Sequence, residues 1–376
     1  MGHMSGRTRT ILINLTVLCT SLLLSLLLAE AIFYRYFPQP TYAVKLCPWG
    51  FEHIPNISFK HTTESKETLS YIQYNSQGFR GTEEYVITKP EGTLRVAILG
   101  DSYGEGAEVD YDYLHGTVLE EMLNTYLAKS DDMYRKAEVI KAGVYAYDSC
   151  QELRFFEARV LEFRPDVVFL IYTGELLENT NFCQLEDHTL TYVNMDYTRW
   201  QYNLRYILGY LKAKSHFLNY LHRVYRRHFG GQIHLPEQLN KAFTYEPPDR
   251  REFSKATRDI RKPVSDYMRI PAKKIRKDFP DGYEYRLLFM IFKKFDALVR
   301  NYGGKFYVVF SHKKPETFEL GHYLEKEDIE YINIFSYVND RRTKEAHFPV
   351  DGHWNEYGHY LVARGFFELI RDGYLK

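Results

Sequence analysis

The residues whose types and spacing could do covalent chemistry lie far apart in this 376-residue chain. Ser102 closes the turn Gly100-Asp-Ser102, and Asp351 stands two residues before His353 in Asp351-Gly-His-Trp-Asn355. A serine hydroxyl is a poor nucleophile until a base takes its proton and donors hold the oxyanion that follows. A histidine can be that base, and an aspartate beside it can hold the imidazole in the tautomer the transfer needs. Taken singly, each residue has an ordinary explanation: Asp351 as a turn or helix-capping residue, His353 as a satisfied core or surface histidine. The chemistry requires all three on one rim.

The surrounding pattern supplies elements that could build such a rim. Leu94 to Leu99 is a short apolar run that ends at Gly100, so Ser102 is expected at the C-terminal end of a buried strand. Similar runs occupy 138–142, 166–173 and 305–311, and helical periodicity covers 116–128, 151–163, 283–302 and 355–370. Strand and helix alternate, which predicts an α/β fold with a parallel, doubly wound sheet. Before it, Pro38 to Pro55 reads as a connector and 56–90 as a polar lead-in ending in the turn Thr88-Lys-Pro-Glu-Gly92. Three segments result: 1–37, 38–90 and 91–376.

An insertion at 181–281 interrupts the alternation. It is rich in Tyr, Arg and Lys and lacks a periodic apolar core of its own. Lys212 to Arg227 is a basic amphipathic stretch and Arg250 to Lys277 a second basic block. Solvated helix faces are the expectation for both, ahead of contact with anionic headgroups or an acidic polymer.

The formal net charge is +0, so charge offers no argument for a nucleic-acid partner. Aromatic residues make up 16% of the chain, a content that suits carbohydrate faces and membrane boundaries as well as cores. The four cysteines, Cys19, Cys47, Cys150 and Cys183, form no C-x-x-C pair and no zinc-like spacing, so no structural metal is expected. Cys19 lies in the apolar N-terminal run, leaving at most one intramolecular disulfide among the other three.

Met1-Gly-His-Met4 reads as a cloning remnant. Ile11 to Ala29 is almost wholly apolar, close to the ~20 residues a helix needs to cross a bilayer. Arg7 and Arg9 precede the run; Phe33, Tyr34, Tyr36 and Phe37 follow it. This predicts a single-pass anchor contacting the membrane through residues 11–33, with a cytoplasmic N-terminus and an extracytoplasmic body. The competing reading is a cleaved signal peptide, since Ala29-Glu-Ala31 has the form of a cleavage site.

Together these blocks resemble the SGNH/GDSL hydrolases, in particular membrane-anchored bacterial members. Gly100-Asp-Ser-Tyr103 resembles the family's nucleophile block and Asp351-Gly-His353 its terminal acid and base block. Lys141-Ala-Gly-Val144 resembles the second block, and Asn75-Ser-Gln-Gly-Phe-Arg80 a lead-in common in the group. The resemblance covers roughly 70–180 and 283–373; the insertion has no counterpart. It implies a flavodoxin-like three-layer α/β/α fold and an acyl-serine intermediate on Ser102. His353 would act as base and then acid, Asp351 as its orienter, and Gly143 as an oxyanion donor. No cofactor is implied.

One block departs from the pattern. The family's third block ends in Gly-x-Asn-Asp or Gly-Asn-Asp, whose Asn is a further oxyanion donor, whereas here the strand runs into Tyr172-Thr-Gly-Glu-Leu-Leu-Glu-Asn179. Gly174 matches, Glu175 follows it, and Asn179 is a candidate replacement. Loss of one such donor typically costs ~2.7 to 4 kcal/mol. A dipole-stabilised helix N-terminal acid is the ordinary reading of Glu175. The expectation is an esterase removing acyl groups, acetyl first among them, from a cell-envelope polysaccharide or glycoconjugate. An O-acyltransferase using the same residues, a binding or assembly protein with an impaired site, and a lipase are the alternatives. The anchor leaves room for a membrane-protein partner.

Overall fold

The structure, a computed structural model, describes residues 6–174, 181–229, 253, 282–311, 315–334 and 345–375. Its centre is a five-stranded sheet of β5 (Thr93–Gly100), β6 (Lys136–Gly143), β7 (Val167–Tyr172), β10 (Lys305–Phe310) and β11 (Glu330–Asn333). The spatial order is β11-β10-β7-β5-β6, with every pair parallel. Strands covered on both faces need apolar side chains at nearly every position, and so they read as near-continuous apolar runs, broken here by Arg95 in β5 and by Glu138 and Lys141 in β6.

Alternate residues of each strand serve opposite layers. Leu94, Val96 and Ile98 of β5, with Val167, Phe169 and Ile171 of β7, pack against α3 (His115–Leu127) and α9 (Glu356–Tyr374). Phe169 and Phe366 stack there with ring centroids 4.1 Å apart. Ala97 and Leu99, with Val168 and Leu170, face α4 (Ser149–Phe155), α7 (Tyr283–Arg300) and α8 (Pro315–Lys326) on the other side. The result is the expected three-layer α/β/α fold. Numbered along the chain, the parallel strands lie in the flavodoxin-like order 2-1-3-4-5, and the end of β5 falls at the switch point where such sheets open a crevice.

Residues 38–90 are more ordered than a polar lead-in. They form two antiparallel hairpins, β1 (Val44–Cys47) with β2 (Gly50–His53) and β3 (Ile57–His61) with β4 (Ser70–Tyr74). Ile57, Phe59, Ile72 and Tyr74 alternate inward into a small apolar cluster. Four- and five-residue strands among polar neighbours leave too short a period to stand out.

Within the insertion lie a third hairpin, β8 (Cys183–Glu186) with β9 (Thr189–Tyr192), then α5 (Arg199–Lys214) and α6 (His216–Phe229). The second basic block lies outside the described residues except for Phe253, which packs on Tyr357 and Tyr360 of α9. The disulfide is Cys150–Cys183, tying α4 to the start of β8, while Cys47 keeps a buried thiol.

The apolar N-terminal run is one helix, α1 (Gly6–Tyr36), with no buried residue and a mean hydropathy of 2.4 over its most apolar stretch, long and apolar enough to cross a membrane. Its last turns touch the body. The Glu30 carboxylate accepts from the amides of His216 at 2.9 Å and Phe217 at 3.1 Å, capping α6, and Phe33 packs on Phe217 and Tyr220.

Candidate active site

Ser102 and His353, 251 positions apart in sequence, meet above the C-terminal edge of the sheet: Ser102 Oγ lies 2.7 Å from His353 Nε2. On the other side of the ring, His353 Nδ1 lies 2.6 Å from Asp351 Oδ1. The three residues singled out by type and spacing thus form one continuous hydrogen-bonded line.

Local structure explains the meeting. Strand β5 ends at Gly100, whose φ of +150° and close approach to Ile171, 2.9 Å from where a Cβ would sit, leave no place for a side chain. Asp101 caps the short helix α2 (Ser102–Glu105) by accepting from the Tyr103 amide, and it also accepts the Thr173 hydroxyl at 2.6 Å. The end of β7 is thereby locked to the turn that carries Ser102. At the other end of the chain, Asn355 caps α9, and the preceding loop is closed by Phe348 N donating to His353 O and Gly352 N donating to Phe348 O. Tyr103 joins the two halves: its hydroxyl donates to the Gly352 carbonyl at 3.0 Å and its ring lies 4.7 Å from the imidazole.

Two contacts from the 38–90 segment brace this frame. Arg80, fully buried, donates to the carbonyls of Glu105, Gly106 and Val109, fixing the chain just after α2. Glu67, between β3 and β4, accepts from the Val350 and Asp351 amides, the latter at 2.7 Å. Arg80 belongs to the lead-in motif seen in the sequence; Glu67 carried no signal there.

The site also contains Glu108, which sequence reasoning did not find. Its Oε1 is 3.6 Å from His353 Nδ1, and its Oε2 is buried without a hydrogen-bond partner. Burial pushes its carboxyl up to about 7, the His353 charge working against the shift and Asp351 adding to it. For His353 burial disfavours the charged ring, but the Asp351 hydrogen bond and the negative charges of Glu108 and Asp351 outweigh it and raise the imidazole to about 9. Glu105 behaves differently. Burial alone would raise it, yet His53, the Tyr74 hydroxyl and Arg80 hold it down at about 2, and it accepts the Tyr145 amide at 2.9 Å.

Of the expected oxyanion residues, Gly143 ends β6 against α2, where a Cβ would come within 2.0 Å of the Gly104 carbonyl carbon. Only glycine allows that approach. Gly174 follows β7 with a φ of +103°, directly after the Thr173 that binds Asp101. Glu175 and Asn179 lie outside the described residues. The donors of Glu108, Asp351 and His353 fall within 4.8 Å of one another, the one such group among the described residues that could hold a metal ion. Both nitrogens of His353 already have protein partners, so the arrangement is suited to moving a proton.

No family model and no curated protein matches the sequence. Solved structures similar to the chain include a two-domain esterase active on acetylated mannans, at 13% identity and a TM-score of 0.36 over 74% of this chain and 49% of that one. The chain spans about half the length of that esterase. A lipase/acylhydrolase from Enterococcus faecalis is similar at 10% identity and a TM-score of 0.36, over 75% of this chain and 97% of that one. An acetyl-xylooligosaccharide esterase from Geobacillus Stearmophilus is similar at 12% identity and a TM-score of 0.35, over 77% and 96% respectively.

Proposed function

We propose that the chain is a membrane-anchored serine esterase of the SGNH/GDSL type that removes small acyl groups, acetyl first among them, from a carbohydrate or glycoconjugate. The observation that carries the proposal is the line from Ser102 Oγ through His353 to Asp351, at 2.7 Å and 2.6 Å. In this reading Ser102 Oγ attacks the ester carbonyl carbon while His353 Nε2 takes its proton. The tetrahedral intermediate collapses, the leaving alcohol takes that proton from Nε2, and an acyl-serine remains. Water then attacks the acyl carbon, again giving a proton to Nε2, and the Ser102 oxygen recovers it as the acid leaves. A sugar hydroxyl in place of water makes the same site an O-acyltransferase.

The oxyanion is assigned to the backbone amides of Ser102 and Gly143. Ser102 stands in the first turn of α2, where an amide has no acceptor within the helix. A carbohydrate substrate is supported by the Tyr42 and Tyr145 rings, stacked 4.0 Å apart, with Tyr42 part-exposed and the Tyr145 amide donating at 2.9 Å to Glu105, the last residue of the helix that begins at Ser102.

Placement outside the cytoplasm is supported by the Cys150–Cys183 disulfide, since such bridges persist in oxidising compartments. An uncleaved anchor is supported by Glu30, the middle residue of the signal-like Ala29-Glu-Ala31, because cutting there would strip the cap from α6.

A fluorophosphonate probe tests the chemistry. The purified protein should be labelled at Ser102 and the Ser102→Ala variant should not; a folded wild-type protein that resists labelling would leave a binding or assembly role as the better reading. An acetyl donor offered with and without a glycan acceptor separates hydrolysis from transfer, according to whether ester appears on the acceptor.

A further inference from the structure

The helix pair α5 and α6 is built inside out. α5 turns its small residues inward: Ala213 is buried, and a Cβ on Gly209 would come within 2.3 Å of the Val44 carbonyl oxygen of the β1–β2 hairpin. Its large apolar residues Trp200, Leu204, Ile207 and Leu211 share one face by spacing and are all exposed, Trp200 at 63%. On α6, Leu218, Leu221 and Tyr225 repeat the arrangement. A helix on the surface of a water-soluble domain puts such a stripe against the core, and contiguous exposed apolar surface marks an interaction site.

Two further observations identify what covers this face. The first is position. α6 starts on the Glu30 carboxylate of α1 and packs on Phe33, so the apolar stripes begin where the apolar run of α1 ends. The second is charge. Residues 199–229 carry seven Lys and Arg and no Asp or Glu, in a chain whose formal net charge is +0. Cationic flanks, aromatic side chains and an apolar stripe are the composition of a helix lying in the headgroup layer of an anionic bilayer.

We infer that α5 and α6 lie in the interfacial layer of the membrane that α1 enters, with the stripe of Trp200, Leu204, Ile207 and Leu211 facing the acyl chains and the exposed Arg199 and Arg205 at anionic headgroups. The body is thus seated on the lipid surface over two helices besides its anchor. The inference rests on α1 as an anchor and is independent of the esterase chemistry.

Trp200 is a built-in reporter, because the other two of the three tryptophans, Trp49 and Trp354, are exposed by only 8% and 1%. The full chain is reconstituted into phosphatidylcholine and phosphatidylglycerol vesicles with and without bromine on the upper acyl chain. Flotation reports the anchor and fluorescence reports the face. The expected result is loss of most Trp200 emission to lipid bromine, protection from aqueous iodide, and disappearance of the bromine-sensitive component in Trp200→Phe. Floating vesicles in which iodide reaches Trp200 would overturn the inference. Shielding from both quenchers would also overturn it, because a protein surface, a second copy included, would then be the cover. Protein that fails to float would remove the anchor and the inference together, while labelling of Ser102 would stand unaffected.

Discussion

Glu108 Oε1 lies 3.6 Å from the same Nδ1 of His353 that Asp351 holds at 2.6 Å, so one imidazole nitrogen faces two carboxyl groups. Asp351 has the hydrogen-bond distance and therefore fixes the tautomer, whereas Glu108 stands behind it and acts through its charge. Burial has raised that carboxyl to about 7, so Glu108 changes charge near neutral pH while the proton on His353 is held until about 9. In the proposed mechanism the pair makes the readiness of the base depend on a residue outside the Ser102–His353–Asp351 line.

Removing the Glu108 charge should move the pH at which the site becomes active. His353 must be neutral to accept the Ser102 proton, so the labelling rate of the wild type should climb with pH and be half-maximal near 9. In Glu108→Gln a negative charge beside the ring is gone, the protonated ring is less favoured, and the midpoint should fall. The measurement is the pH profile of fluorophosphonate labelling, and an unchanged midpoint would show that Glu108 does not act on His353. For stability the sign is opposite to that of a typical surface carboxylate. The folded state keeps the Glu108 proton from about 4.5 up to about 7, so its contribution to stability declines as pH rises through that window.

Asp351→Asn keeps the shape of the line but leaves the imidazole in the wrong tautomer. Turnover should drop by roughly 10,000-fold with little change in melting temperature. Steady-state kinetics on an activated acetyl ester checks this, and a drop of only a few-fold would demote Asp351 to a structural turn residue.

Arg80→Met should unseat the site without touching it. The buried guanidinium serves the carbonyls of Glu105, Gly106 and Val109. Each buried carbonyl left unpaired costs about 1 to 3 kcal/mol. Denaturant unfolding should show that loss, and labelling of Ser102 should slow even where the variant is fully folded.

Breaking Cys150–Cys183 should loosen the start of the insertion. The bridge closes a loop with a sequence separation of 33, and chain entropy assigns a loop of that size roughly 3 to 4 kcal/mol. The Cys150→Ala, Cys183→Ala double variant should therefore unfold at lower denaturant, and a reducing agent should produce the same shift in the wild type and none in the variant.

How much of this was legible in the sequence depended on how each part is encoded. The central strands announced themselves because strands covered on both faces are apolar at nearly every position, and the turn at Gly100 placed Ser102 at their edge. Asp351 and His353 were legible because their spacing carries a mechanism. The strand Glu330–Asn333 was not read, since four residues after a helix give no period. Glu108 and Glu67 act on residues far along the chain, and nothing in the local sequence distinguishes them from acids on the surface. The basic stretch from Lys212 to Arg227 was expected to show a solvated face. In the structure Leu218, Leu221 and Tyr225 are exposed as well, and the inward side of the helix pair is taken up by small residues such as Gly209 and Ala213.

The carboxylate of Glu30 has a mechanical consequence. A domain hung from a floppy tether sweeps a wide volume and meets targets at many heights. Here the last turns of α1 are bonded into α6 and stacked against Phe217 and Tyr220, contacts that tie the direction of α1 to the body carrying Ser102. On the proposed anchor and chemistry, targets must be brought to Ser102, and lengthening or shortening α1 on the N-terminal side of Glu30 should change which esters come within reach even though no residue of the pocket is altered.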